Sequence, residues 1–273
     1  MTGTVPSDAP SEELDDHAIA AQVATAAGEL LTALRAELVD AGAPRWAIEQ
    51  EGDRRAHELI MDALTELAPG DAVLSEEGRD HASRLTAERT WIVDPLDGTR
   101  EYGELRHDFA VHVALVVDHA PVAGAVALPA LATTLSTHPA PTLPPAPAHG
   151  PRLVVSRSRP AMICHVIADD LGGQLVPLGS AGAKAMAVVR GEAEIYAHAG
   201  GQYEWDSCAP VAVAAAAGLH VSRIDGSPLR YNRPDPWLPD LLICRPEHAE
   251  RIIELVRARV GTSIEDDEAE MWA

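Results

Sequence analysis

Aromatic side chains are scarce. One phenylalanine, four tyrosines and five tryptophans make up 4% of the 273 residues. Hydrophobic residues nonetheless reach 47%. Alanine, valine and leucine must therefore do most of the packing, in one large domain or two closely packed halves. Cysteine is also sparse. Cys164, Cys208 and Cys244 are far apart, odd in number and without the paired spacing that holds zinc. They read as reduced thiols of a cytoplasmic protein. No apolar run approaches the roughly 18 residues of a membrane span. The polar, acidic opening MTGTVPSDAPSEELDD is the reverse of a secretory signal. Positive charge is short as well: 21 basic against 42 acidic residues leave a formal net charge of −21. A field of that sign repels nucleic-acid phosphates and argues against a polymer partner. It also repels small phosphorylated compounds, so an enzyme acting on them would need local positive charge such as bound metal.

What is present has a clear order. Residues 1–12 read as a disordered leader, and 263–273 as a frayed acidic tail. Apolar residues recur at helical spacing from Leu14 to Val39 (Ile19, Val23, Ala26, Leu30, Leu34, Leu38), and Ala41-Gly42-Ala43-Pro44 stops that helix. A second helix is expected from about Gly52 to Leu67, then a short strand over Ala72–Ser75 and a buried strand over Thr90–Asp94. Phe109–Val117 and Pro121–Leu128 form a hairpin pattern. The proline-rich stretch THPAPTLPPAPAHGP, residues 137–151, reads as a loop between halves. After it strands and helices alternate, ending in a helix over Glu247–Val260. The expectation is a layered α+β and α/β sandwich of alternating helices and sheets, with an α+β half at 13–150 and an α/β half at 151–262.

The chemistry concentrates in WIVDPLDGTREY, residues 91–102. A buried strand ends in Asp94, Pro95 fixes a turn, and Asp97 and Thr99 follow. Glu76-Glu77 follow another strand, Asp206 starts an alanine-rich helix, and Asp53 starts the second helix. Such boundary positions sit where layers meet and pockets form. Carboxylates brought within a few ångströms need cations, and oxygen-only donors favour a hard ion such as magnesium. Pro95 could turn the Leu96 carbonyl inward as another oxygen donor. Gly98 would allow a phosphate near the backbone, and Thr99 with the amides after it would favour an anion. Singly, each acid has a plainer reading. Glu76-Glu77 suit a helix N-terminus, Asp206 an N-cap, Asp53 a charged surface and Asp94-Pro95 a turn. His57, His107, His112 and His198 read as helix-face or satisfied core residues.

WIVDPLDGTREY, with LSEE upstream and EWDSCAP downstream, resembles the inositol monophosphatase superfamily of magnesium-dependent, lithium-sensitive phosphatases. With VVSRSR, LGSAGAKAMAVVRGEAEIY and GGQYEWDSCAP, the chain looks most like its CysQ-type branch of 3′-phosphoadenosine-5′-phosphate phosphatases, and most of all like actinobacterial members. The resemblance implies two or three Mg²⁺ ions. Glu76, Asp94 and the Leu96 carbonyl would hold one; Asp94, Asp97 and Asp206 would hold a second. A third would lie near Glu76 and carry the nucleophilic water. Thr99, paired with Asp53, would take the water's proton, with Glu76 as the alternative base. Gly98 and Thr99 would cradle the phosphate, and Glu77 has a secondary role. The segment PRWAIEQEGDRR departs from the family pattern, with no lysine and with Gln50 where a threonine is expected.

The implied reaction is in-line hydrolysis of the 3′-phosphate of 3′-phosphoadenosine 5′-phosphate, and also of 3′-phosphoadenylyl sulfate, in sulfate assimilation and nucleotide recycling. Neither a P-loop nor a cysteine–arginine loop is visible, which favours water as nucleophile. Arg157, Arg159, Lys184 and Arg100 are the candidates for a second phosphate. Gly179, Ser180 and Tyr203 are the candidates near sugar or base, and Asp206 is a further substrate contact. Inositol 1-phosphate and fructose 1,6-bisphosphate are the alternative substrates on the same site. A non-enzymatic binding protein on this fold would have lost a ligand acid, and none is missing. A small phosphorylated nucleotide is the expected partner, without membrane or polymer, and a homodimer is the assembly to test.

Overall fold

A computed structural model describes residues 14–262. The expected leader (1–12) and acidic tail (263–273) lie outside the described residues. Two long helices open the chain, α1 (Asp16–Asp40) and α2 (Arg45–Leu67). Asp15 caps α1 by accepting the Ala18 amide at 2.8 Å. The first sheet then forms from β1 (Ala72–Ser75), β2 (Arg89–Asp97), β3 (Ala110–Val117), β4 (Ala120–Leu128) and β5 (Thr133–Ser136), in that spatial order. Only β1 and β2 are parallel there. A five-residue helix, α3 (Thr99–Gly103), follows β2 directly.

The second sheet has the order β7-β6-β8-β10-β9, from β6 (Arg152–Ser156), β7 (Gln174–Leu178), β8 (Ile195–Tyr203), β9 (His220–Ser222) and β10 (Trp237–Cys244). Its helices are α4 (Met162–Leu171), α5 (Ala181–Val189), α6 (Glu204–Ala216) and α7 (Pro246–Thr262).

Strand parity sorts the core into layers. Trp91 and Val93 of β2 face α1 and α2, whereas Ile92 faces the other way. There it joins α5, α6 and the inner face of the second sheet, including Val154 and Tyr196. The outer face of that sheet, with Leu153, Val155 and Ile195, packs on α4 and α7. The layers therefore run helix, sheet, helix, sheet, helix, and the α5–α6 layer is shared by both sheets. No helix among the described residues is long and apolar enough to cross a membrane.

Several expectations change. The second helix begins at Arg45, seven residues before Gly52. Gly52 resembled a start signal, but it is an interior glycine needed for close approach. A Cβ there would stand 2.7 Å from the Tyr102 ring and 2.9 Å from the Leu96 side chain. The buried stripe of α1 also differs. It runs through Ile19, Val23, Ala24, Ala27 and Leu31, while Ala26, Leu30 and Leu34 are half-buried. The smaller residues win because α1 passes close to the first sheet: a Cβ on Gly28 would be 3.0 Å from Pro129. The proline-rich stretch is irregular, as expected, yet it is not loose. Leu143 packs on the central core, and the Pro144 carbonyl accepts Arg245 Nη1 at 3.1 Å. Finally β2 does not stop at Asp94 but continues irregularly to Asp97.

Gly52→Ala provides a test. In an exposed helix interior this change stabilises by up to about 1 kcal/mol. Here it should destabilise by about 1–3 kcal/mol through overpacking. Urea unfolding of the variant checks the sign.

Candidate active site

The site is built from the end of β2 outward. Asp94 is in phase with Ile92 and so points into the central layer. Its cross-strand partner on β3 is His112. Between Asp94 and Asp97 the pairing slips, which lets a second aspartate of the same strand reach the same side. The Leu96 amide donates to Asp94 Oδ1 at 3.0 Å. Asp97 accepts the first amides of α5, Ala181 N at 3.1 Å on Oδ1 and Gly182 N at 2.6 Å on Oδ2. A Cβ at Gly182 would lie 2.1 Å from His112 Nε2, so only glycine permits this approach. Asp206 arrives on α6. It is not the N-cap of that helix. It lies one turn in and accepts the Tyr203 amide at 2.6 Å, the reciprocal half of a capping box. Oxygens of Asp94, Asp97 and Asp206 all lie within 4.8 Å of one another.

The α6 start is anchored by buried polar groups. Glu204 is fully buried and accepts the Asn232 amide at 2.6 Å and the Arg233 amide at 2.9 Å. Asn232 in turn accepts buried Arg84 at 2.7 Å, which ties α6 to the segment following Glu76-Glu77.

Burial and mutual repulsion dominate the electrostatics. Burial raises Asp94 well above its ordinary value, and Glu76, Asp97 and Asp206 add to the shift. Asp206 is pushed up to about 6 by burial and then by Asp97. Glu76 keeps an exposed surface, yet partial desolvation of its carboxyl, followed by Asp206, pushes it up to about 7. Asp97 goes the other way. Burial opposes its charge, but His112 and the Gly182 amide outweigh it and lower the pKa. His112 Nε2 lies 3.2 Å from Asp97 Oδ2, and its Nδ1 is 2.9 Å from the Trp205 carbonyl. Burial disfavours the imidazolium; Asp97 more than offsets this and raises its pKa. His112 is thus a core strand residue, as its apolar neighbours suggested, but it also touches the acid cluster. Its place beside the acids follows from its pairing with Asp94, which strand register decides.

The proposed base pair is also in contact. Thr99 Oγ1 donates to Asp53 Oδ1 at 3.0 Å and lies 3.1 Å from the Leu96 carbonyl. Burial pushes Asp53 up to about 7, against the hydrogen bond from Thr99. The altered segment before Asp53 is part of α2, which the close contact at Gly52 holds against α3. Glu77 is exposed and adds to the upward shifts of Asp53 and Glu76.

A cleft of about 410 Å³ opens beside the acids, bordered by Asp97, Gly98, Gly179, Ser180, Lys184 and Asp206, among others. Gly98 needs its glycine for two local reasons. Its φ is +89°, and a Cβ would meet Ser180 at 2.9 Å. Lys184, the only lysine in the sequence, is buried, and its ammonium donates to the carbonyls of Gly179 and Ser180. Arg157 does not border this cleft. It is bound by Asp108 and lies 3.5 Å from Glu101, lining a neighbouring cavity with Arg106 and Arg190. Arg100 is exposed and paired with Glu104. Sequence reading missed Gln202 and Trp237, which border the cleft.

The sequence matches the family model described as the inositol monophosphatase family over residues 11–140 and 152–260. The chain belongs to this family. Among its relatives is the 3′-phosphoadenosine 5′-phosphate phosphatase of Mycobacterium leprae (strain TN). It is 48% identical over 258 residues, covering 90% of this chain and 94% of the relative. Inositol monophosphatase-II from Staphylococcus aureus MSSA476 has the same fold, with a TM-score of 0.75 at 20% identity, covering 90% of this chain and 97% of that one. CysQ from Bacteroides thetaiotaomicron aligns with a TM-score of 0.69 at 28% identity, over 83% of this chain and 96% of that one. The inositol monophosphatase family is magnesium-dependent, and the donor set fits a hard cation. Every side-chain donor is a carboxylate oxygen, and the cluster holds more negative charge than its burial supports unless protons or cations offset it.

This predicts a pH-dependent metal effect. Without metal, Glu76 and Asp206 have folded pKa values of about 7 and about 6, above the ordinary 4.5 and 3.8. Stability is therefore lost as pH rises from about 4 to about 7. Metal binds the ionised carboxylates and competes with protons. Millimolar MgCl₂ should raise the melting temperature more at pH 8 than at pH 5, which differential scanning fluorimetry measures.

Proposed function

We propose that this protein hydrolyses the 3′-phosphate of 3′-phosphoadenosine 5′-phosphate to AMP and phosphate, with 3′-phosphoadenylyl sulfate as a second substrate, in sulfate assimilation and nucleotide recycling. The observation that carries the reading is the convergence of Asp94, Asp97 and Asp206 from two distant parts of the chain beside a cleft. The 48% identity to a phosphatase of that name supports the substrate.

Glu76, Asp94 and the Leu96 carbonyl would hold one magnesium ion, and Asp94, Asp97 and Asp206 another, with room in the scheme for a third near Glu76. When bound, the metal supplies positive charge for the phosphoryl oxygens and acidifies water. The chain's own residues handle the proton. Thr99 already donates to Asp53, so it can accept a proton from water only as its own passes to the Asp53 carboxylate. A pKa of about 7 suits Asp53 to that task near neutrality. Glu76, also near 7, is the alternative acceptor. Water attacks in line, its oxygen bonding to phosphorus as the bond to the ribose 3′ oxygen breaks and that oxygen takes a proton from solvent. Gly98 and Thr99 begin α3 next to the cleft and would hold the phosphate. Lys184 places positive charge behind the Gly179–Ser180 wall. The three buried, free cysteines suit a cytoplasmic setting. A homodimer is the assembly to examine by light scattering.

Phosphate release decides the substrate. We expect the bisphosphate nucleotide to be cleaved faster than inositol 1-phosphate or fructose 1,6-bisphosphate, with magnesium required and lithium inhibitory. Inositol 1-phosphate turned over far faster would refute the nucleotide assignment. Asp94→Asn should remove activity by several orders of magnitude with the fold retained; near-normal turnover would contradict its shared position. Asp53→Asn should lower kcat by about 10²–10⁴ with Mg²⁺ affinity, measured by calorimetry, little changed.

A further inference from the structure

Two cleft residues have a geometry that nothing above explains. Gln202 is buried, and neither its side-chain nitrogen nor its oxygen has a hydrogen-bond partner. An amide left this way costs the full desolvation of a donor and an acceptor, and such groups are rare in folded proteins. Trp237 is 43% exposed at the rim of the same cleft, across the strand pair from Tyr203. Its seat is specific. Gly201 has φ +92°, and a Cβ there would lie 2.7 Å from the indole ring, so the backbone of β8 is bared to receive it. Next to it Gly200 also has positive φ, +100°, and together they kink β8 just before Gln202.

We propose that Gln202 and Trp237 form a nucleobase subsite: the indole covers one face of the base, and the amide pairs with its edge. This rests on the nucleotide reading given above and specifies which part of the cleft takes the adenine. The chemistry matches. A carboxamide offers one donor beside one acceptor, and adenine offers N6–H beside a ring nitrogen in the same spacing. A flat aromatic rim suits a flat base, and stacking on it does not require charge. Inositol and sugar phosphates have hydroxyls that can hydrogen-bond but no flat aromatic face and no planar donor–acceptor edge, so the subsite acts in favour of the nucleotide. A site with buried, unpaired polar groups also discriminates against ligands that leave them unpaired.

The test compares Gln202→Leu and Trp237→Ala with the wild type on 3′-phosphoadenosine 5′-phosphate and on base-free fructose 1,6-bisphosphate, and measures 5′-AMP binding by calorimetry. Each variant should lower the ratio of kcat/KM on the nucleotide to that on the sugar phosphate by about tenfold or more, mainly through KM, and weaken AMP binding to match. An equal loss on both substrates, or no loss on either, overturns the proposal. Trp237 is exposed, so Trp237→Ala keeps the test valid if Gln202→Leu fails to fold. Wild-type protein that cleaves the sugar phosphate and not the nucleotide refutes the substrate assignment separately. In that case AMP binding that still depends on both residues supports the subsite, and absent or independent binding overturns it.

Discussion

Repulsion between buried carboxylates is the constraint on which this structure turns. Asp94 and Asp97 are buried, Asp206 is half-buried and Glu76 lies at their exposed edge, and the four cannot all be ionised so close together without a cation. The fold holds the three aspartates there by giving each a backbone amide of its own. Asp97 sits on the first amides of α5, Asp206 on the Tyr203 amide and Asp94 on the Leu96 amide. These contacts orient the acids without neutralising them, and three of the four titrate above their ordinary values. The unfavourable charge is thus stored in the fold, and it is the property that suits the cluster to a cation.

Small residues make the crowding geometrically feasible. The scarcity of aromatics is a consequence of layers that must pass close together. Gly182 lets α5 reach Asp97 beside His112, and Gly52 lets α2 bring Asp53 to Thr99. The alanine-rich α6 carries Asp206 across the first sheet, where a Cβ on Gly124 would meet Ala212 at 2.9 Å. Packing and site chemistry therefore share the same residues, because the chemistry lies in the layer common to both sheets.

Much of this was legible in the chain itself. The β3–β4 hairpin follows from two apolar runs joined through Asp118-His119, and the acids at element ends stand out because charge interrupts apolar runs. Other features were hidden for physical reasons. Gly52 stands at the expected start of the second helix, and its place inside α2 is hidden because its Tyr102 contact is remote in sequence. Arg157 reads as a phosphate contact because Asp108, which binds it, lies 49 residues away. His112 reads as core, which it is, but its proximity to Asp97 depends on strand register. β5 lacks a distinctive pattern and exists because β4 offers it an edge.

Sequence alone determined which side chains could bind a hard cation, since residue type and flanking turn chemistry are local properties. It also determined the layered class, since periodicity reports which faces must be buried. The tertiary structure decided which acids meet, how far each is driven from its ordinary pKa, and which wall of the cleft carries unpaired amide and exposed indole. Those depend on register slips, left-handed glycines and helix approach, which arise only when distant segments occupy the same space.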